Sequence, residues 1–293
     1  MGSRFPNKVL PYAIVLPSIV VVLVFLIVPS IQSFYLSLFR VSPFGNVLIF
    51  KGFSNFITLL KDFAYVSSLT RTLIFTSFIV LVGLAISLAL ALLANLKLRG
   101  AGIYRTALIW PYALSPAIAG TIWALLVDPS TGPVIYFIKL LTGRNYNWMS
   151  SGNLALAIVT LAATWKMLGY NVIFFLSGLQ NIPRELLEAA DIDGASTFRR
   201  FRKVIFPLLS PMTFFLFVMN SLYGFFEVFG LIDVMTQGGP GKATNILVYK
   251  LYEDGFVNFR TGFASAQSIV LFVFVAILTI IQFRFAGRWV FYR

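Results

Sequence analysis

The chain has 293 residues, of which 59% are hydrophobic and 11% charged, where a soluble domain carries roughly 25% charged residues. The apolar residues fall in long blocks rather than at amphipathic spacing, which excludes a water-soluble globular fold. The absence of cysteine and histidine removes disulfides, thiolate and imidazole catalysis and the two commonest transition-metal ligands, so no catalytic residue, cofactor or metal site is expected. The net charge of +13 does not point to nucleic acid, because the basic residues lie between the apolar blocks, where they anchor helix ends and set orientation.

Six segments are apolar over roughly the 20 residues needed to cross about 30 Å of hydrocarbon. They run from about Leu10 to Phe39, Thr72 to Leu96, Thr106 to Val127, Leu154 to Leu179, Leu208 to Ile232 and Ala266 to Phe285. The expected fold is therefore all-α, a polytopic membrane protein in one domain over residues 1–293. The first block follows Arg4 and Lys8 as a signal peptide would, but its run from Tyr12 to Val28 exceeds an h-region of roughly 7 to 15 residues and no small-residue cleavage site follows. It is expected to remain as a helix.

With the amino terminus in the cytoplasm, the inner side holds Arg4, Lys8, Lys97, Arg99, Arg105, Arg184, Arg199, Arg200, Arg202, Lys203, Arg284, Arg288 and Arg293. The outer loops, longer in total, hold Arg40, Lys51, Lys61, Arg71, Lys139, Arg144, Lys242, Lys250 and Arg260, and Lys166 alone falls within the membrane. This bias predicts that both termini are cytoplasmic. Two outer stretches, Phe50 to Leu60 and Tyr249 to Phe256, are amphipathic and are expected as interfacial helices.

The loop from Asn181 to Pro211, NIPRELLEAADIDGASTFRRFRKVIFPLLSP, is long and ordered in pattern. Asn181 and Pro183 start a short helix, Glu185 suits its positive end, and Leu186, Leu187, Ala189 and Ala190 give it a small apolar face. Gly194 is the natural stop, and Ser196 or Thr197 can cap a second, basic helix that runs to Pro207.

The spacing of Glu188, Ala189, Ala190, Gly194, Val204, Phe206 and Pro207 resembles the E-A-A motif of ABC importer permeases, which has isoleucine and leucine where Val204 and Phe206 stand here. The resemblance implies the type I importer permease fold and a coupling loop over residues 181–207. There Glu188, Ala189, Ala190, Asp193, Gly194 and Pro207 would dock on a cytoplasmic ATPase. It further implies a second homologous permease, two ATPase subunits and an extracytoplasmic solute-binding protein as partners, working by alternating access in the inner cell membrane.

A second signature, Thr236-Gln237-Gly238-Gly239-Pro240 with Thr244 and the Tyr249 to Phe256 stretch, resembles the carbohydrate and glycerol-phosphate branch of these permeases. Its glycines and proline also serve a tight turn. With VSPFGN near Val41, IWPYALSPAIAGTIW and TWKMLGYNVIFFLSGLQNIP, the chain is most similar to the first permease subunits of sn-glycerol-3-phosphate importers. Disaccharide permeases share the same landmarks. Gly241-Lys242 is no phosphate-binding loop, since G-x-x-x-x-G-K-[ST] would need glycine at Thr236 and a hydroxyl at Ala243.

Charged side chains inside a membrane usually face a cavity or a partner. Lys166, Tyr170 and Asn171 lie within about a turn and a half of the fourth span, and Asn220, Tyr223 and Glu227 follow a 0, 3, 7 spacing on the fifth. These six residues are the candidate substrate path, with amide and carboxylate groups for hydroxyls, aromatic rings for stacking and a lysine for phosphate. The same residues could instead pair Lys166 with Glu227, hold helices together or snorkel to an interface. An ion-coupled secondary transporter using Lys166 and Glu227 is the rival from another class. An aspartyl-type intramembrane enzyme lacks the second membrane carboxylate it needs.

Overall fold

The structure, a computed structural model, describes residues 9–42, 45, 47–96, 100–144 and 146–289. Of the residues singled out above, Arg4, Lys8, Lys97, Arg99, Arg293 and three positions of the VSPFGN stretch (Pro43, Phe44, Asn46) lie outside them, as does the side chain of Arg288.

In chain order the elements are α1 (Leu10–Ser37), β1 (Phe39–Val41), β2 (Leu48–Phe50), α2 (Ser54–Lys61), α3 (Phe63–Ala94), α4 (Ala101–Ala113), α5 (Pro116–Leu126) and α6 (Pro133–Thr142). There follow α7 (Gly152–Gln180), α8 (Arg184–Ile192), α9 (Thr197–Leu208), α10 (Ser210–Glu227), α11 (Phe229–Met235), α12 (Leu247–Tyr252) and α13 (Thr261–Trp289). The fold is all-α, and the two strands form a single antiparallel hairpin with Phe39 opposite Phe50. Helices α1, α3, α7 and α13 are each long and apolar enough to cross a membrane, and counting the bent pairs α4–α5 and α9–α10 as one crossing apiece gives six.

The bends have local causes. Leu114 and Ser115 are extended, as residues before proline tend to be, and Ser115 then caps α5 by accepting from the Ile118 N–H at 3.3 Å. The block expected as one span from Thr106 to Val127 is thus two helices meeting at 107°, each too short to cross alone. Pro211 sits in the first turn of α10, which departs from α9 by 66°. In α1 the helix widens into a π turn over Leu23–Ile27 just before Pro29, and Ser30 donates its hydroxyl to the Leu26 carbonyl at 2.7 Å. Helix α3 begins nine residues before the expected Thr72. Its polar start is inward-facing, and Thr72 donates to the Ser68 carbonyl at 2.7 Å. Sequence reasoning passed over α6, although Pro133 at its first turn and Gly143 at φ 69° beyond its end mark it.

The chain divides into two units, Met1–Phe63 with Leu251–Val273, and Ala64–Lys250 with Phe274–Arg293. In the first, no described residue of α1 before Ser37 is buried, while Asn55 donates to the carbonyls of Ser37 and Phe39 at 2.7 and 3.0 Å. Asp254 is buried there and accepts from Gln267 at 2.6 Å.

The second unit has an apolar core of Val80, Leu84 and Ala91 from α3, Val172, Phe175 and Leu179 from α7, and Leu209 and Leu216 around α10. Helix α4 packs on α7, and α5 on α11. The first contact is close: a Cβ on Gly169 would stand 2.7 Å from the Ile109 carbonyl oxygen. Arg105 closes the end of α3 by donating twice to the Ala94 carbonyl, at 3.2 and 2.9 Å. After α5, Trp148 is buried with its indole N–H on the Val127 carbonyl at 2.5 Å. The Asp128 carboxylate accepts from the backbone N–H groups of Thr131 and Ser130 at 2.8 and 2.9 Å, and these donors hold its carboxyl below the usual carboxylate range.

Replacing Gly169 with alanine should lower the melting temperature of the purified protein, because the contact lies against backbone that cannot move aside. Gly102→Ala, where nothing lies within 4 Å, should leave it unchanged or raise it. Thermal unfolding followed by size-exclusion chromatography compares the two.

Candidate functional site

Lys166 lies on α7 with only 6% of its surface exposed. Its ammonium faces the rings of Tyr112 at 5.2 Å and Tyr223 at 5.8 Å, the geometry of a cation held against aromatic faces. No ion pair within 4.0 Å joins it to Glu227 among the described residues. The direct pairing open to the sequence is therefore not formed. The Tyr223 hydroxyl is buried without a hydrogen-bond partner among the described residues.

Aromatic rings extend the site. Tyr112 and Tyr170 have centroids 4.9 Å apart, Tyr170 and Phe174 4.7 Å, and Phe174 and Phe215 5.1 Å. Trp165 stands edge-on to Trp110 and Trp123 at 6.1 and 6.0 Å. Sequence reasoning missed Tyr112, whose signal was its place beside Pro111 in a helix about to break. Only the fold of α4 against α7 brings it to Lys166.

The six expected path residues separate into two groups. Asn171 and Asn220 are both fully buried and exchange amide hydrogen bonds at 3.1 and 2.7 Å, with Asn220 also donating to the Leu216 carbonyl at 2.8 Å. They clasp α7 to α10. Lys166, Tyr170 and Tyr223 converge around Tyr112, and Glu227 is exposed. The 0, 3, 7 face does not carry through α10, because Tyr223–Glu227 is a π turn. The wider turn ends the α-helical register on which the spacing rested.

On the loop side, α8 has Glu185 in its first turn and ends in a Schellman arrangement. Gly194 takes φ 68°, its N–H bonds the Asp191 carbonyl at 3.1 Å, and the Ala195 N–H bonds that of Ala190 at 3.0 Å. Ser196 caps α9 through the Arg199 N–H at 3.4 Å, and Arg200 pairs with Asp191 across the two helices. Ala190 is buried against its own chain, while Glu188, Ala189 and Asp193 are exposed and Pro207 lies inside α9. Exposed with them are Ile192 at 87% and Phe198 at 71%, apolar groups in a segment too charged for lipid. Between α11 and α12, Thr236 and Thr244 join hydroxyls at 2.7 Å, and Thr244 also donates to the Gly239 carbonyl at 2.8 Å. The glycine-rich segment is thus a folded loop.

Residues 129–290 match the family described as binding-protein-dependent transport system inner membrane component. The chain belongs to this family. It is 46% identical, over 98% of each chain, to the sn-glycerol-3-phosphate transport system permease protein UgpA of Rhizobium meliloti and to that of Agrobacterium fabrum. The counterpart in Yersinia enterocolitica is 44% identical over 97% of this chain and 96% of its own. A bacterial ABC transporter that imports the acidic polysaccharide alginate has a chain of the same fold, with TM-score 0.81 at 22% identity over 95% of both chains. The protein is accordingly a multi-pass permease subunit of a binding-protein-dependent importer with the type I fold, and not an ion-coupled secondary transporter. Its role is transport rather than catalysis.

The clasp of the permease gives a direct test of what its asparagines do. Asn220→Leu leaves the Asn171 amide buried without a partner, at a cost of about 1–3 kcal/mol. Asn171→Leu with Asn220→Leu removes both amides and should recover part of that loss in thermal unfolding of the detergent-solubilised protein.

Proposed function

We propose that this permease carries sn-glycerol-3-phosphate or a closely related phosphorylated polyol or sugar, forming half of a translocation path with a second, homologous permease. The observation that carries the reading is the buried Lys166 ammonium, caged by Tyr112 and Tyr223 and in no ion pair among the described residues. It is joined by the names of the full-length relatives. A cation already withdrawn from water binds phosphate strongly, and the rings of Tyr112, Tyr170 and Phe174 offer faces to the carbon skeleton. An uncharged disaccharide would use those rings but not the lysine.

In this reading both termini and residues 181–207 are cytoplasmic, the two units work as one permease domain, and an extracytoplasmic binding protein delivers the substrate. Two ATPase subunits hydrolyse ATP outside this chain. Their grooves receive α8, with Glu188 meeting a basic group, Ala189 allowing close approach, and Asp193 and Gly194 setting the turn into α9 and Pro207. Closure of the ATPases opens the path outward, and hydrolysis resets it. The coupling requires that the ATPase grip α8 differently in the two states.

Lys166→Met in the assembled importer should reduce uptake of radiolabelled sn-glycerol-3-phosphate by about tenfold or more, with Lys166→Arg retaining part of it. Undiminished uptake by the methionine variant at normal protein level would remove the phosphate role. Independently, Glu188→Lys and Gly194→Val should abolish uptake while membrane insertion persists. Co-purification of the ATPase with either variant at the wild-type ratio, together with intact uptake, would exclude coupling through this loop.

A further inference from the structure

We propose that α6 is a membrane-surface anchor, a helix lying in the plane of the bilayer with its outer face sunk among the lipids of one leaflet. It runs from Pro133 to Thr142, 10 residues, about 15 Å and half of what a crossing needs. At about 100° per residue, Tyr136, Leu140, Pro133, Phe137, Leu141 and Val134 follow one another around an arc of about 160° that contains no polar side chain. All six are exposed, Leu140 and Leu141 at 70% and Tyr136 at 69%. On the opposite side Ile135 is buried and Ile138 half-buried.

That inner side fixes the level of the helix. Ile135 shares a packed cluster with Val127, just past α5, and with Ala155 in the first turn of α7, and Ile138 and Ile158 pack against it. Helix α7 has 29 residues, about 44 Å against about 30 Å of hydrocarbon. With the excess shared between its ends, the hydrocarbon begins about 7 Å into α7, between Ala155 and Ile158. The clustered side chains therefore hold α6 at the boundary, the depth at which a helix with one apolar face rests in a leaflet. Its flanks suit the same depth. Lys139 lies beside Tyr136 at the edge of the arc and Arg144 just past the helix, both exposed, where their stems cover apolar surface and their charges meet headgroups.

Two features select lipid over protein. Membrane helices that meet one another do so through small residues, which let backbones approach, and the arc holds no glycine, alanine, serine or threonine. A solute-binding protein docks and leaves, which would return the arc to water in every cycle, whereas lipid covers it throughout. The leaflet is the one opposite the α8–α9 loop, since α6 and that loop adjoin opposite ends of α7. The anchor depends neither on the substrate carried nor on which side is cytoplasmic.

Because the chain contains no cysteine, single nitroxide labels can be attached through Phe137→Cys, Leu140→Cys, Leu141→Cys and Lys139→Cys. The importer is assembled with partner subunits freed of cysteine and placed in lipid nanodiscs. Electron paramagnetic resonance then compares collisions with oxygen, which concentrates in hydrocarbon, and with a water-soluble nickel chelate. Labels at 137, 140 and 141 should favour oxygen over nickel several-fold more than the label at 139. Nickel collisions on the arc equal to those at 139 would place it in water, and immobilised labels shielded from both reagents would place it under another subunit. Either result overturns the proposal. Three separate arc positions, each replacing an exposed side chain, keep the outcome from resting on the folding of one variant.

Discussion

The Ile109 carbonyl oxygen lies 2.7 Å from where a Cβ on Gly169 would be, and that approach governs the centre of the second unit. It draws α4 onto α7 closely enough for Tyr112, three residues past Ile109, to reach Lys166, three residues before Gly169. The break at Leu114 and Ser115, beginning two residues past Tyr112, then turns the chain away. A longer side chain at 169 would separate the helices and open the aromatic cage, leaving a buried ammonium without the π faces that offset its desolvation. One missing methyl group thereby connects packing to electrostatics.

Much of this was legible wherever the determining signal is local. Six apolar blocks, the start at Pro183, the stop at Gly194 and the cap at Ser196 each depend on a few neighbouring residues, and a short window of sequence contains them all. The E-A-A spacing carried the family as well. Three features were not legible for the opposite reason. Asn171 and Asn220 are 49 residues apart, and nothing near either shows that its partner is the other rather than a ligand. Tyr112 joins the site only through the angle at which a broken helix folds back. The π turn at Tyr223–Glu227 contains Gly224, but one glycine inside an apolar helix does not by itself announce a π turn, so an α-helical count did not show that Glu227 would be exposed.

The two groups of polar residues have different energetic tasks. An amide pair that satisfies itself gains little from water or ligand and resists separation, which suits two helices that must keep their register while others move. Among the described residues, Lys166 and Tyr223 are left with unmet capacity, a charge without a counter-charge at contact distance and a buried hydroxyl without a partner. Such groups are costly in a purely structural core, and their cost makes sense where an occupant supplies the missing partner.

Transport adds the requirement that the occupant leave. A lysine in direct contact with Glu227 would be neutralised before any anion arrived, and a lysine with no carboxylate in reach would retain a phosphate. Glu227 forms no ion pair with Lys166 among the described residues, and it sits exposed at the end of a π turn. If movement of α8 is passed through α9 and the elbow at Leu209 to α10, the same displacement that opens the path alters the competition between carboxylate and phosphate for one cation. Only a difference in that competition between the two states can turn a binding site into a step of transport.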